Sequence, residues 1–200
     1  MRTETPWGPW EPASLTEVVA LLQGLEASWW VSGGYAIELA VGRSFREHGD
    51  VDISVLRRDQ LAMRRHLAGW DVQLVDSGEF RLWEIDEVLP EHVHDIWIRE
   101  TPDGPWRFQL MVDEADGAEW IYRRDARIRR PLASLGIAED GFVRLSPEVQ
   151  LLFKSKARRP KDEQDFAEVL PVLTGQQRLW LDQMLAIEFG THPWRDRLRG

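Results

Sequence analysis

The stretch from Trp29 to Leu56 constrains the fold more than any other part of the chain, because its pattern changes twice within a short distance. It opens with the apolar run WWV, which is followed by the glycine pair Gly33 and Gly34. The residues YAIELAVG then favour a helix that Gly42 closes. The segment DVDISVL alternates polar and apolar residues as a strand does. A strand, a glycine turn, a helix and a second strand therefore follow in order, which predicts an α+β domain.

Two aspartates, Asp50 and Asp52, occupy the polar positions at the start of the second predicted strand. Side chains alternate between the faces of a strand, so Asp50, Asp52 and Ser54 are expected on one face, roughly 6.5–7 Å apart along the backbone. Two such carboxylates repel each other unless a cation lies between them, and a divalent ion stabilises both as anions. The alternative is an exposed strand face with two solvated acids.

The glycine turn before the aspartate pair is a candidate phosphate-binding element. Gly33 and Gly34, with Ser32 before them, lie where a strand ends and a helix begins, and backbone N–H groups at a helix start can bind phosphate. A Gly-Gly pair alone indicates an ordinary tight turn. A phosphate-binding turn followed by a metal-binding strand is what nucleotidyl transfer from a triphosphate needs.

The whole stretch resembles the signature of the DNA polymerase β-type nucleotidyltransferase superfamily. Within it, the stretch is most similar to aminoglycoside and lincosamide nucleotidyltransferases, whose pattern is roughly G-G-W-A-I-D followed by R-x-H-x-D-I-D. Tyr35 and Glu38 depart from that pattern at its Trp and first Asp. A weaker resemblance covers the later segment FKSKARRPKDEQDF, through Lys161, Asp162 and Asp165. The residues in register in the first motif are Gly33, Gly34, Ala36, Ile37, Arg46, His48, Asp50 and Asp52.

The resemblance implies an Mg²⁺-dependent enzyme that transfers AMP from ATP to a hydroxyl of a small acceptor, such as an aminoglycoside or lincosamide. It also implies a third carboxylate on a neighbouring strand, which accepts the acceptor's proton and helps to hold a metal. Asp95 in HVHDIWIRE is preferred, because it is expected in mid-strand facing the aspartate pair. Asp113 and Glu114, at the end of FQLMVDE, are the alternatives.

A basic run in this acidic protein offers phosphate ligands. Lys154 and Lys161 are the lysines in that run expected to neutralise a triphosphate, and Arg46 is a further candidate near the aspartates. The alternatives are a solvated helix end whose cations complement the helix dipole, and, for Arg46, an ion pair with the acids.

The sequence pattern of the rest of the chain changes near residue 145, from predicted strands and helices to predicted helices alone. Ser14 and Glu17 form a predicted capping box, and WDVQLVD, FRLWEI, HVHDIWIRE and PWRFQLMVDE are predicted strands. Beyond Ser146 three helical segments are predicted. We therefore expect a nucleotidyltransferase-type mixed β-sheet flanked by helices over residues 1–145, and a C-terminal helical region over residues 146–200.

Composition excludes several classes of protein. The absence of cysteine excludes disulfides, zinc-thiolate sites and a cysteine nucleophile. A net charge of −9 argues against nonspecific nucleic-acid binding and suits a cationic substrate. No signal peptide or membrane-spanning run is predicted, so a cytoplasmic location is expected. Two other functions stay open: a regulatory or toxin-type nucleotidyltransferase acting on a protein or tRNA, and a non-catalytic nucleotide-binding module.

Overall fold

The structure is a computed structural model, and it describes residues 3–200. These residues form two compact units, each built from two parts of the chain. Unit 1 comprises Met1–Val31 and Glu47–Ala115, and unit 2 comprises Ser32–Arg46 and Asp116–Gly200. The predicted boundary near residue 145 stays a prediction.

Helices and strands are numbered here in chain order. The strands are short, and four of the helices follow the last strand. The elements are α1 (Leu15–Leu21), β1 (Trp29–Val31), α2 (Gly33–Val41), β2 (Asp52–Leu56), α3 (Gln60–His66), β3 (Asp71–Asp76), β4 (Glu79–Leu82), β5 (Asp95–Arg99), β6 (Phe108–Asp116), β7 (Glu119–Ile121), β8 (Arg129–Pro131), β9 (Gly136–Ala138), β10 (Val143–Leu145), α4 (Pro147–Ser155), α5 (Pro160–Val169), α6 (Gly175–Phe189) and α7 (Pro193–Arg199).

Unit 1 is built on a mixed sheet with the strand order β4-β3-β5-β6-β2-β1. Strands β2 and β6 are parallel, and the other neighbours in this order are antiparallel. One face of β2 is fully apolar, because Val51, Ile53 and Val55 are at most 1% exposed. This buried face fixes the register, since a shift by one residue would bring the aspartates into the core.

Unit 2 combines helices with two antiparallel strand pairs, β7–β8 and β9–β10. Helix α4 packs against α2, α5 and α6, and α6 also packs against α7. The rings of Phe166 and Trp194 stack in its core with their centroids 4.3 Å apart. The polar residues of α4 are also buried, namely Glu148, Gln150, Lys154 and Ser155.

The predicted local signals are largely confirmed. Ser14 and Glu17 form the capping box at α1, and Gly42 ends α2 in the left-handed conformation with φ 77°. Ser146 is at the N-cap of α4 and Pro147 follows it, but the Ser146 side chain makes no capping hydrogen bond. The four strands β7–β10 were not predicted, because each spans only three residues and lacks an alternating run.

The α+β fold class, with a mixed sheet flanked by helices and a helical C-terminal part, is confirmed. Within the part of the chain that the structure describes, no helix is both long and apolar enough to cross a membrane.

Candidate active site

The aspartate pair of unit 1 lies at the beginning of β2. Asp52 is the first residue of the strand, and Asp50 lies two residues before it. The sequence pattern had placed both within the strand, and for Asp50 this was wrong. The strand begins late, although the Val51 carbonyl already accepts a hydrogen bond from the Gln109 backbone N–H at 2.9 Å. Both carboxylates are partly exposed and therefore accessible to a ligand.

Strand register places Asp95 on the same face of the sheet as Asp52. Asp52 pairs with Gln109 on β6, and Met111, two residues further along β6, pairs with both Ser54 and Asp95. Strand β6 therefore lies between the two acids, and Asp95 is the first residue of β5 and not a mid-strand residue. Two strand spacings and two residues of rise put the Cα atoms of Asp52 and Asp95 roughly 12 Å apart.

The residue beside Asp52 on the neighbouring strand is Gln109, which sequence reasoning missed. In the amide orientation that satisfies both neighbours, Gln109 donates to Asp52 Oδ1 at 3.3 Å and accepts from Trp97 Nε1 at 3.0 Å. The Asp52 carboxylate thereby accepts a hydrogen bond from a neutral amide, and the partly buried Trp97 indole holds that amide in turn. Only the alternation in RFQLMV could have indicated a polar residue at this position.

The alternative third acids occupy less suitable places. Both lie within β6 and not in a turn. Asp113 is only 1% exposed. Glu114 faces the other way, and its Oε1 lies 2.6 Å from Arg57 Nε. Asp113 and Asp95 both share a sheet face with Asp52, but only Asp95 is partly exposed, and its role as the third acid stays a prediction.

An aromatic cluster surrounds Trp97 on β5. The ring centroids of Trp10, Phe80 and Trp106 lie 4.8, 5.0 and 5.4 Å from that of Trp97. Trp7 lies 6.0 Å away and is half exposed. Several of the eleven tryptophans thus build the core of unit 1 beside Asp52.

The glycine turn belongs to unit 2. Gly33 has φ 65°, a conformation that glycine adopts at little cost, and it begins α2 directly after β1. Its N–H donates to Gln150 Oε1 at 2.7 Å. Ser32 holds the N-cap position, but its buried hydroxyl forms no hydrogen bond to any residue that the structure describes. Gly34 supplies the next backbone N–H of the helix start.

Two of the predicted phosphate ligands, Arg46 and Lys154, are part of a buried ion network. Asp165 is fully buried and accepts from Arg46 Nε at 2.6 Å and Nη2 at 2.9 Å. Lys154 Nζ, 7% exposed, lies 2.8 Å from Asp165 and 3.7 Å from Asp162. Asp162 also accepts from Arg159 Nε at 2.8 Å. Arg46 and Lys154 therefore hold the fold together, whether or not they also approach a nucleotide.

The pKa values of the two buried acids follow from this network. Burial acts to raise the pKa of Asp165, but the Arg46 hydrogen bond and the Lys154 charge outweigh it and leave the pKa below its ordinary value. Burial likewise acts to raise the pKa of Asp162, and the hydrogen bonds from Arg159 with the Lys154 charge reverse the shift. Both carboxylates are thus anions at neutral pH. Lys161, the remaining candidate, is exposed on α5.

The acids of unit 1 meet part of what a metal site requires. Carboxylate oxygens on an accessible sheet face are the donors that Mg²⁺ prefers. Among residues 3–200, however, no three His, Cys, Asp or Glu side chains already converge in a metal-binding arrangement. The donor chemistry fits a divalent cation, but the structure does not present a preassembled three-carboxylate cluster.

The chain was compared with known proteins. The family model for aminoglycoside-2''-adenylyltransferase matches residues 14–168. A solved lincosamide antibiotic adenylyltransferase, LnuA bound to lincomycin, superposes with a TM-score of 0.55 at 14% identity and covers 82% of this chain and 100% of its own. ANT(2'')-Ia in complex with adenylyl-2''-tobramycin gives a TM-score of 0.56 at 14% identity, over 86% of this chain and 95% of its own.

A solution structure of ANT(2'')-Ia, an antibiotic-resistance factor, gives a TM-score of 0.51 at 16% identity, over 92% of this chain and 91% of its own. At these identities the likeness establishes the fold. No curated protein matches the sequence.

Proposed function

The chain belongs to the aminoglycoside-2''-adenylyltransferase family, and from that premise we propose that it transfers AMP from ATP to a hydroxyl group of an aminoglycoside or lincosamide. The observation that carries the proposal is the placement of the partly exposed Asp52 at the start of β2, on the same sheet face as Asp95. The glycine turn precedes this strand in the chain, in the same order as in the motif that the sequence resembles. A cytoplasmic location is part of the proposal, because ATP is the donor.

The proposed reaction is one displacement at the α-phosphorus of ATP. The acceptor oxygen forms a bond to that phosphorus, and the bond to the bridging oxygen breaks with its electron pair leaving on pyrophosphate. The acceptor's proton passes to the Asp95 carboxylate, which acts as general base. Asp50 and Asp52 are the residues that would hold Mg²⁺, and a bound divalent ion would neutralise charge on the phosphates.

Basic and polar groups of unit 2 are proposed to bind the triphosphate. Ser32 and the N-terminal backbone of α2 are the anion-binding elements, because α2 has no acidic residue in its first turn to occupy its positive end. Lys161 is exposed and able to reach an anion. Arg46 and Lys154 support the site through Asp165.

A second candidate, nucleotide binding without transfer, is favoured by one observation. The position beside Asp52 on the neighbouring strand holds the neutral Gln109, and Asp95 lies one strand further out. If Asp95 does not move closer to Asp52 when the nucleotide binds, no general base reaches the acceptor hydroxyl.

Thermal shift tests the nucleotide binding that both candidates require, and detection of an adenylated product separates them. Wild type and Asp52→Asn are heated with Mg²⁺ and ATP, GTP, CTP or UTP, with the exposed loop variant Asp103→Asn as the matched control. We expect ATP to stabilise wild type and Asp103→Asn but not Asp52→Asn. Mass spectrometry of tobramycin and lincomycin after incubation then detects the added AMP.

Variants at the third acid complete the test. Asp95→Asn is expected to abolish turnover and keep ATP binding, whereas Asp113→Asn is not expected to act on the chemical step directly. Stabilisation by ATP with no adenylated product from any acceptor would favour the second candidate. Absence of any nucleotide effect in wild type would contradict both.

A further inference from the structure

A long-range contact fixes the glycine turn at the start of α2. The Gly33 N–H donates at 2.7 Å to Oε1 of Gln150, which follows 117 residues later on α4 and is 6% exposed. The first N–H groups of a helix have no partner within the helix, and a side chain at the N-cap usually supplies one. Here the residue at that position, Ser32, does not, and a distant amide does.

The hydroxyl of Ser32 is left unused by this arrangement. Ser32 is 3% exposed, and its Oγ has no hydrogen-bond partner among residues 3–200. A buried polar group without a partner costs free energy, so its retention at a helix start calls for an explanation. An incoming anion would supply the missing acceptor.

The chemistry of the Gln150 side chain matters for such an anion. A carboxylate at this place would accept the same hydrogen bond and would neutralise the positive end of α2. The neutral amide satisfies the Gly33 N–H and leaves the helix dipole available. No acidic residue lies in the first turn of α2 either.

Helix α4 also holds the other end of the same segment. Lys154 lies one turn after Gln150, so the two side chains share a face of α4. Lys154 binds Asp165, which in turn binds Arg46, the last residue of the segment Ser32–Arg46. One face of α4 thus contacts the beginning of this segment directly and is linked to its end through Asp165.

We propose that Gln150 is a positioning residue for the phosphate site: its neutral amide holds the Gly33 backbone, so that the Ser32 hydroxyl donates to an oxygen of the triphosphate. This inference rests on the proposed nucleotidyl transfer. It assigns the recognition of the donor's phosphates to Ser32 and gives Gln150 an indirect role.

The first test is Gln150→Glu, which keeps the acceptor for Gly33 and adds a negative charge. We expect the KM for ATP with Mg²⁺ to rise at least 10-fold at pH 8 and to fall towards the wild-type value as the pH is lowered and the new carboxyl becomes protonated. The kcat is expected to change far less. Gln176→Glu makes the same chemical change at an exposed position of α6, and it should alter neither KM nor its pH dependence.

The second test is Ser32→Ala, which does not depend on whether a charge is tolerated at position 150. Because the hydroxyl has no partner in the protein, its removal should leave the Tm unchanged or raise it, while the KM for ATP rises about 10-fold. If Ser32 were purely structural, its replacement would lower the Tm and would not selectively raise the KM for ATP.

The outcomes separate this inference from the function on which it rests. If ATP neither binds to nor is turned over by wild type, the proposed function fails first. If wild type uses ATP, and Ser32→Ala keeps the wild-type KM, the inference is overturned. A folded Gln150→Glu variant with a wild-type KM at every pH would overturn it as well.

Discussion

Replacing Asp165 by asparagine removes a buried carboxylate that two cations share. The side chain is fully buried, and its oxygens lie 2.6 Å from Arg46 Nε and 2.8 Å from Lys154 Nζ. The amide keeps the shape but removes the anion that Arg46 Nε and Nη2 contact, and it leaves Lys154 with the more distant Asp162 at 3.7 Å. Breaking one partner of a buried ion pair typically costs about 3–5 kcal/mol of unfolding free energy. For a chain of this size that corresponds to a fall in Tm of roughly 6–20 °C.

Glu168→Gln is the matched control for this substitution. It also removes an acid that pairs with an arginine of the segment Ser32–Arg46, but the Arg43–Glu168 pair is exposed, with side chains 60% and 31% accessible. Exposed pairs contribute about 0–1 kcal/mol. Both variants are melted at pH 7 and followed by circular dichroism. Equal, small changes in Tm for the two variants would refute the argument that burial makes the Asp165 network stabilising.

The pH dependence of the Tm difference between wild type and Asp165→Asn gives an independent check. The pKa of Asp165 is lowered in the folded state, so its stabilising effect is complete above the unfolded value of about 3.9 and is lost as the pH falls through the folded value. The difference in Tm between wild type and Asp165→Asn should therefore be constant from neutral pH to about pH 5 and shrink in more acidic buffer. A difference that grows on acidification would contradict the assigned direction.

Three further predictions concern the candidate site and its scaffold. Asp50→Asn and Asp52→Asn should abolish stabilisation by Mg²⁺ with ATP but not lower the Tm without ligands, because repulsion between the acids is relieved; a clearly lower metal-free Tm would contradict this. Gln109→Leu removes the amide between Asp52 and Trp97, and we expect about a 10-fold to 100-fold loss of Mg²⁺ affinity or kcat, with wild-type kinetics as the contrary result. Gly42→Ala forces a side chain into a backbone with φ 77° and should cost about 1–2 kcal/mol in urea unfolding, whereas Gly175→Ala, in the first turn of α6, should be neutral.

The local structure around the site could be predicted from the sequence because it depends on neighbouring residues. Backbone preferences and burial within a few residues account for the capping box of Ser14 and Glu17 and for the end of α2 at Gly42. They also account for β2, where the polar Asp52 alternates with the buried Ile53 and Val55. The resemblance carried by the glycine pair and the two aspartates led to the family that the comparison confirms.

Tertiary structure alone decided which groups meet. Gly33 contacts Gln150 from 117 residues away, and Arg46 contacts Asp165 from 119 residues away. Sequence reasoning assigned Arg46 and Lys154 to phosphate, because a basic residue shows its charge but not its partner. It also expected Asp95 in mid-strand, whereas Asp95 begins β5 and β6 lies between it and β2.

The physical reason is the same in each case. A strand or a helix start is specified by the conformational preferences of adjacent residues, so its signal lies in a short stretch of the chain. Strand order and helix packing result from burying apolar faces of distant segments together. The sequence by itself therefore determined the elements and the chemistry of their exposed residues, whereas the neighbours of Asp52, Gly33 and Asp165 depended on how the elements pack.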